Sequence, residues 1–548
     1  MGSEADGDGQ ADRDGQAEGE AEGVAEDEDK GEGEGEGEDG KAQEQAPPCQ
    51  IQITLFTCGG WALGVKLHHA LGDAHTLIRF IRRIADIVRS SSTSSSSTSS
   101  STSSSSTSSN PSPPISKNIN TPASTSTDTT LRFNPSLLDS KAAGSIDATQ
   151  PDSAIVATAY ALPLARYDWY APSSGAPGWV RDVPEVLKER DDVLSLTKLG
   201  GTKEGGREGK EGGGVGKPMP WADWDTKAPV EYAVVHFEAG EVEGMYALAT
   251  SLAEDASAGR EGRGFMSHHD VLLAHIWAGI VLARWRAYAG GNSVPALDAS
   301  DVMHAHTSFS LRPKTRLDLG DDFAGSPIMM ADVSLPLSAF LPPPSSATTS
   351  PTPTASSPPI SPASTPDPTP TPTTTTPASS LASVGPIAQR FRTTLKAFTP
   401  TSLSAQLHTL AYEASPQRIW QAFLGRKSVI VTSWVREGGY DADFGIGGGK
   451  GEGKEGRQGG GREGEGRPIW MQSVMLDMDG IVVVAEGVPP RHGSRSQVSE
   501  KADEKAEEHQ GKKERRKWWK DGVDISIHLE RRAMQQLVAD ELFLNPIR

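Results

Sequence analysis

The chain has 548 residues, 72 acidic against 53 basic, and a formal net charge of −19. That charge is concentrated: residues 1–45 hold 18 acidic and 3 basic residues, −15 of the total, and the rest of the chain carries −4. No basic stripe suits a nucleic-acid partner. The two cysteines, Cys49 and Cys58, make neither a disulfide framework nor a zinc site and fit a reducing compartment. No basic-then-apolar N-terminus reads as a secretory signal. The longest apolar stretch, 271–283, is too short to span a bilayer and contains His275. A soluble, cytoplasmic protein without a membrane partner is the expectation.

In chain order, residues 1–48 read as a disordered acidic tail, a solubilising segment rather than part of a fold. Residues 50–57 alternate and are rich in strand formers; Gly59-Gly60 follows, and 61–67 reads as a second strand, together a hairpin. His68-His69-Ala70-Leu71-Gly72-Asp73 comes next, then helical spacing over 74–89. This strand-to-helix transition is a place where side chains are aimed into a cleft. Residues 89–128 are a Ser/Thr tract, 131–170 are weakly patterned, and 199–217 are Gly-rich. Residues 231–238 read as a strand. Residues 267–288 are the clearest helix, opened by Ser267 and Asp270 as a capping box and apolar nearly all round, so it should be buried. A strand is expected over 303–311. Helices are expected over 382–398, after the Pro/Thr/Ser tract 342–380, and over 402–424. A strand over 428–434 leads to Asp443-Phe444-Gly445 and the Gly-rich stretch 446–467. Residues 469–476 and 481–485 flank Asp477-Met478-Asp479-Gly480 as a second hairpin. The polar run 491–516 precedes a last strand, 523–529, and a helix over 530–542. Without the low-complexity stretches, roughly 350 residues remain, enough for two domains. Strands and helices mix without a regular βαβ period, which makes the fold α/β in a loose sense.

The candidate chemistry lies in two distant segments. An imidazole is the natural base near neutral pH, its ordinary pKa being about 6.5. Of the two histidines in H-H-x-x-x-D, His69 is the candidate, and spacing alone lets Asp73 orient it as in a Ser-His-Asp arrangement. The second segment is Thr432-Ser433-Trp434 followed by Asp443-Phe444-Gly445-Ile446-Gly447. A kinase reading of Asp-Phe-Gly fails for want of a His-Arg-Asp loop, and a phosphate loop at 448–454 fails because Glu455 replaces the needed Ser or Thr. Three other features have structural readings: His75 as a helix-face residue, His268-His269-Asp270 as a helix cap without a third metal ligand, and Trp518-Trp519 as packing.

In this order and separation, H-H-x-x-x-D and the D-F-G-W-G-like segment resemble the BAHD superfamily of acyl-CoA-dependent acyltransferases, hydroxycinnamoyl transferases in particular. Cys58-Gly59-Gly60, Ser267 to Trp277, Ser310-Leu311-Arg312-Pro313 (without the family's Asp) and Phe323-Ala324-Gly325-Ser326 extend the resemblance. It implies a two-domain chloramphenicol acetyltransferase-like fold with mixed sheets and an incomplete N-terminal domain. That domain is expected over 49–217 and the C-terminal one over 218–548, with disordered insertions at 89–128, 342–380, 446–467 and 491–516. The implied activity moves an acyl group from acyl-CoA, a co-substrate rather than a resident cofactor, to the hydroxyl or amine of a small molecule, without a metal and in a monomer. On that resemblance His69 is the base, Asp73 points away from substrate to Arg312, and Thr432 and Trp434 line the channel. Asp443, Phe444, Gly445 and Gly447 form a structural turn, with Ile446 where the plant pattern has Trp. The alternative is an inactive or truncated relative serving as a binding or scaffold protein; a condensation-type domain is a minor third.

Overall fold

The computed structural model describes residues 47–94, 130–180, 216–256, 265–289, 296–341, 383–445, 466–489 and 517–547. Apart from a few residues at their edges, the acidic tail and the five low-complexity stretches lie outside these.

The first hairpin forms as its alternation predicts. Strands β1 (Cys49–Leu55) and β2 (Trp61–Leu67) pair antiparallel, Cys49 opposite Leu67 and Leu55 opposite Trp61. Its turn places Gly59 at φ +84°, a conformation that favours glycine. β2 alternates half-buried and exposed residues, whereas β1 is exposed at all seven positions. Helix α1 (Ala74–Ser94) runs past its predicted end at 89. The Ser90 and Ser91 hydroxyls return hydrogen bonds to the carbonyls of Asp86 (2.7 Å) and Ile87 (2.9 Å), so the first serines of the tract are accommodated within the helix. The weakly patterned region yields α2 (Ser136–Lys141), α3 (Ser153–Tyr160) and the short strand β3 (Tyr167–Asp168), which pairs in parallel with β4 (Lys217–Pro218).

The remaining elements build one mixed sheet and its cover. They are β5 (Val230–Phe237), α4 (Ala239–Ala256), α5 (His268–Tyr288), β6 (Val302–Ser310), β7 (Ile328–Pro336), α6 (Val384–Lys396), α7 (Pro400–Ala411), β8 (Ser428–Ser433), β9 (Ile481–Glu486), β10 (Val523–Glu530) and α8 (Arg531–Val538). The strand order is β5-β10-β9-β8-β6-β7, parallel from β6 through β8 to β9 and antiparallel elsewhere. One face of this sheet is apolar, with Val429, Val431, Val482, Val484, Ile525 and Ile527 buried among residues of α4, α5, α6 and α8. The mixed α/β class holds. α5 is buried almost throughout, behind the predicted Ser267–Asp270 capping box. Its three buried polar residues are each partnered: Asp270 by Arg392, His275 by the Phe543 carbonyl (3.0 Å), and Arg284 by Asp479 (2.8 Å) and the Ser428 carbonyl (2.9 Å). Two nitrogens of the same helix, Trp277 Nε1 and Arg284 Nε, are buried without a hydrogen-bond partner among the described residues.

Two predicted elements differ. The helix expected over 402–424 stops at Ala411, because Tyr412 caps it and Pro416 opens a separate turn, Pro416–Ile419. The second hairpin is absent: of its two strands only β9 forms. Both edges of β9 are already occupied, by β10 and β8, so 469–476 has no ladder to join. Sequence patterning also missed α4 and β7.

Candidate active site around the first turn of α1

The segments singled out in the sequence, apart from Ile446 and Gly447, can be located relative to the start of α1. His68 and His69 follow β2 directly, in a turn closed by the Leu71 N–H donating to the His68 carbonyl (2.8 Å). Asp73 caps α1: its Oδ1 accepts from the Thr76 N–H (3.0 Å) and its carbonyl from the Leu77 N–H (2.9 Å).

Asp73 is buried and does not reach His69. Its carboxylate is gripped by Arg312, Nη1 to Oδ2 at 2.6 Å and Nη2 to Oδ1 at 3.0 Å. This overturns the spacing argument that Asp73 orients the imidazole directly. Arg312 lies just past β6, itself 3% exposed. It also donates through Nε to the Phe323 carbonyl (3.0 Å) and through Nη2 to Thr76 Oγ1 (3.0 Å) and the Gly325 carbonyl (3.1 Å). The Thr76 hydroxyl donates to that same carbonyl (2.8 Å), and the Asp73 N–H does so at 3.1 Å. The buried, bidentate pair therefore welds the first turn of α1 to the 320–326 loop, and its remaining donors and acceptors are satisfied, which such a pair requires.

His69 itself is exposed, and its Nδ1 lies 3.1 Å from Ser326 Oγ. His75 ties in a third segment: its Nδ1 meets Glu437 at 2.6 Å and its Nε2 the Asp321 carbonyl at 2.9 Å. Burial lowers the His75 pKa, but the hydrogen bonds to Glu437 and to the Asp321 carbonyl outweigh it, and the net shift is upward. Glu437 follows Trp434, so the Thr-Ser-Trp segment is drawn to α1. Trp434 is half-buried and lines, with Ile78 of α1, Tyr440 and Met471, a cavity of about 30 Å³, room for a water or two. Thr432 lies on the sheet face away from the apolar core and accepts from the Ser308 hydroxyl (3.1 Å); Ser433 meets His269 Nε2 at 3.0 Å. Among the described residues, neither Thr432 nor Trp434 is hydrogen-bonded to His69.

The Asp-Phe-Gly segment clasps the other end of this unit. Phe444 is buried edge-on against Trp61 (5.1 Å) beside Ala85 and Ala442. Asp443 pairs with Arg89 (3.4 Å) and accepts from the Gly445 N–H (2.9 Å). Gly447 lies outside the described residues. The sequence missed Ser326 and Thr76 as members of the site. The signal for Thr76 was present, since an Asp three residues before a helical position is an N-cap pattern.

His268 stacks between Tyr246 and Trp519, each at 3.9 Å, and Trp518 meets His269 edge-on. Among the described residues, no three His, Cys, Asp or Glu side chains group as metal ligands, and no helix is long and apolar enough to cross a membrane. His306 on β6 is fully buried, with neither ring nitrogen hydrogen-bonded and Asp332 3.5 Å away. Burial pushes its pKa down from 6.5 to about 4. The unfolded chain therefore takes up this proton first, and the stability His306 contributes above pH 6.5 is lost as the pH falls from 6.5 to 4. The loss is roughly 3 kcal/mol. Urea unfolding at pH 7 and pH 4 should show this loss in the wild type and a smaller one in His306→Met; equal losses in both would contradict it.

Comparison with known proteins meets the motif reading. A family model described as "Transferase family" matches residues 38–142, the stretch that holds β1, β2, His69 and α1. Acyltransferase AFT15-1 of Alternaria alternata is 24% identical over 284 residues, 52% of this chain and 41% of that protein. Alcohol acyltransferase 1 of Actinidia deliciosa is 40% identical over 45 residues, 8% of this chain and 10% of its own length. The chain thus spans less than half the length of these curated relatives. Among solved structures, F. graminearum TRI101 complexed with coenzyme A and deoxynivalenol aligns at TM-score 0.42 and 13% identity, over 91% of this chain and 69% of that one. Vinorine synthase aligns at TM-score 0.38 and 12% identity, over 91% and 67%. Around His69 and Asp73 the chain is thus similar to a transferase family model, and it is similar in part to curated acyltransferases.

Proposed function

We propose that this chain transfers an acyl group from acyl-CoA to the hydroxyl, or amine, of a small molecule, with His69 as general base in a ternary complex. The observation that carries the reading is an exposed imidazole held at Nδ1 on a turn that a buried Asp73–Arg312 pair fixes in place. In the reaction, His69 Nε2 takes the acceptor's proton as its oxygen bonds to the thioester carbonyl carbon. The tetrahedral adduct collapses with cleavage of the carbon–sulfur bond. The departing thiolate recovers the proton from His69, so the enzyme returns to its starting state. Thr432 and Trp434 are assigned to the channel near the developing oxyanion. Asp73 and Arg312 touch no substrate. The alcohol acyltransferases among the relatives favour a hydroxyl acceptor. The same reading includes two domains meeting near 217–218, a cytoplasmic monomer, no nucleic-acid or membrane partner and no resident cofactor.

One observation favours the binding-protein alternative: β1 leaves Ile51, Ile53 and Leu55 more than half exposed on a strand edge that is unpaired among the described residues, a template for another chain. Calorimetric titration of the purified chain with coenzyme A and with an acyl-CoA tests the main reading without an acceptor. Dissociation constants on the order of micromolar are expected. Absence of binding by a folded chain would count against acyl transfer.

A further inference from the structure

We infer that Ser326 is a positioning residue that fixes the tautomer of His69: the imidazole Nδ1–H donates to Ser326 Oγ, which leaves the Nε2 lone pair as the proton acceptor. The direction of this bond rests on the acyl-transfer reading, which needs the base at Nε2; the tautomer itself is directly observable.

The geometry starts from the 3.1 Å contact between Ser326 Oγ and His69 Nδ1. Either atom of a neutral imidazole–hydroxyl pair can hold the shared proton. If the serine donated, Nε2 would carry the hydrogen and no base would face solvent. A base at the exposed edge therefore requires serine to accept.

What gives Ser326 authority over the ring is the rigidity of its backbone. Gly325, immediately before it, accepts at its carbonyl from Thr76 Oγ1, Arg312 Nη2 and the Asp73 N–H, and donates its own N–H to Thr76 Oγ1 (3.2 Å). Gly325 stands at φ +138°, where side chains are rarely tolerated. Pro327, immediately after, restricts Ser326 to extended backbone. The Ser326 backbone is thus fixed relative to the turn that carries His69, and its hydroxyl lies within reach of the ring. Asp73 acts on the imidazole only indirectly, through Arg312, Gly325 and Ser326. The four-residue step from His69 to Asp73 then reflects a shared turn of chain, not a direct bond.

The test is nitrogen-15 NMR of the imidazole side chains, with the His69 signals assigned by their loss in His69→Ala. Above the titration of the ring, the wild type should show the hydrogen on Nδ1. Ser326→Ala should move it to Nε2, and Ser326→Thr should restore it to Nδ1. Hydrogen on Nε2 in the wild type, or a tautomer indifferent to Ser326→Ala, would overturn the inference. In parallel, turnover of Ser326→Ala should fall about tenfold with KM for acyl-CoA unchanged. The correct tautomer in a wild type that transfers no acyl group would sink the proposed function and leave the role of Ser326 standing.

Discussion

Arg312→Met should lower the stability of the fold by about 3–5 kcal/mol, the cost of leaving a buried charge without its partner. Asp73 would keep its carboxylate at 6% exposure with no cation beside it, and the carbonyls of Phe323 and Gly325 would each lose a buried donor. Arg312→Lys should recover only part of this, because an ammonium cannot make the two-pronged bond and reach Phe323 as well. Removing both charges, as Asp73→Leu with Arg312→Met, should cost less than Arg312→Met alone, since no unpaired charge remains. Urea unfolding midpoints at constant slope supply the measurement. Losses in the double variant equal to the sum of the two single losses would show that the pair is not coupled and that the weld does not exist.

The same network shows where sequence reading succeeds and where it stops. The hairpin 49–67, α1, α5 with its Ser267 cap and strands β6, β8 and β10 were legible because each is written in neighbouring residues: alternation, 3.6-residue spacing, a cap, a glycine turn. The false hairpin at 469–476 had acceptable local pattern, and failed because a strand needs a free edge that β10 and β8 had already taken. The bonds that build the site are of another kind. Thr76 to Gly325 spans 249 residues and His75 to Glu437 spans 362. Nothing in either sequence neighbourhood states the partner. For Asp73 the spacing pointed to His69 and the resemblance to Arg312; the fold places it on Arg312 because the carboxylate, as cap of α1, turns inward to the helix terminus while the imidazole stays outside. Ser326 was read only as the end of the Phe323–Ser326 turn and not as a partner of His69, because its backbone neighbours, not its own side chain, give it a fixed position.

His69 is the one residue of this network whose removal should stop the chemistry and leave the protein standing. It is exposed and, among the described residues, its side chain is hydrogen-bonded to Ser326 alone, so His69→Ala should change stability by less than about 0.5 kcal/mol. A positioned general base is worth roughly 100- to 10,000-fold in rate. The assay should quantify the acylated product by mass spectrometry, because a thiol reagent would also react with the exposed Cys49 and Cys58. With a shared acyl-CoA and a panel of small alcohols and amines, wild type and His69→Ala are compared at matched concentration and equal folded fraction. Product formed by the wild type and reduced at least 100-fold in His69→Ala is the predicted result; equal product from both would contradict the assignment of this site to acyl transfer.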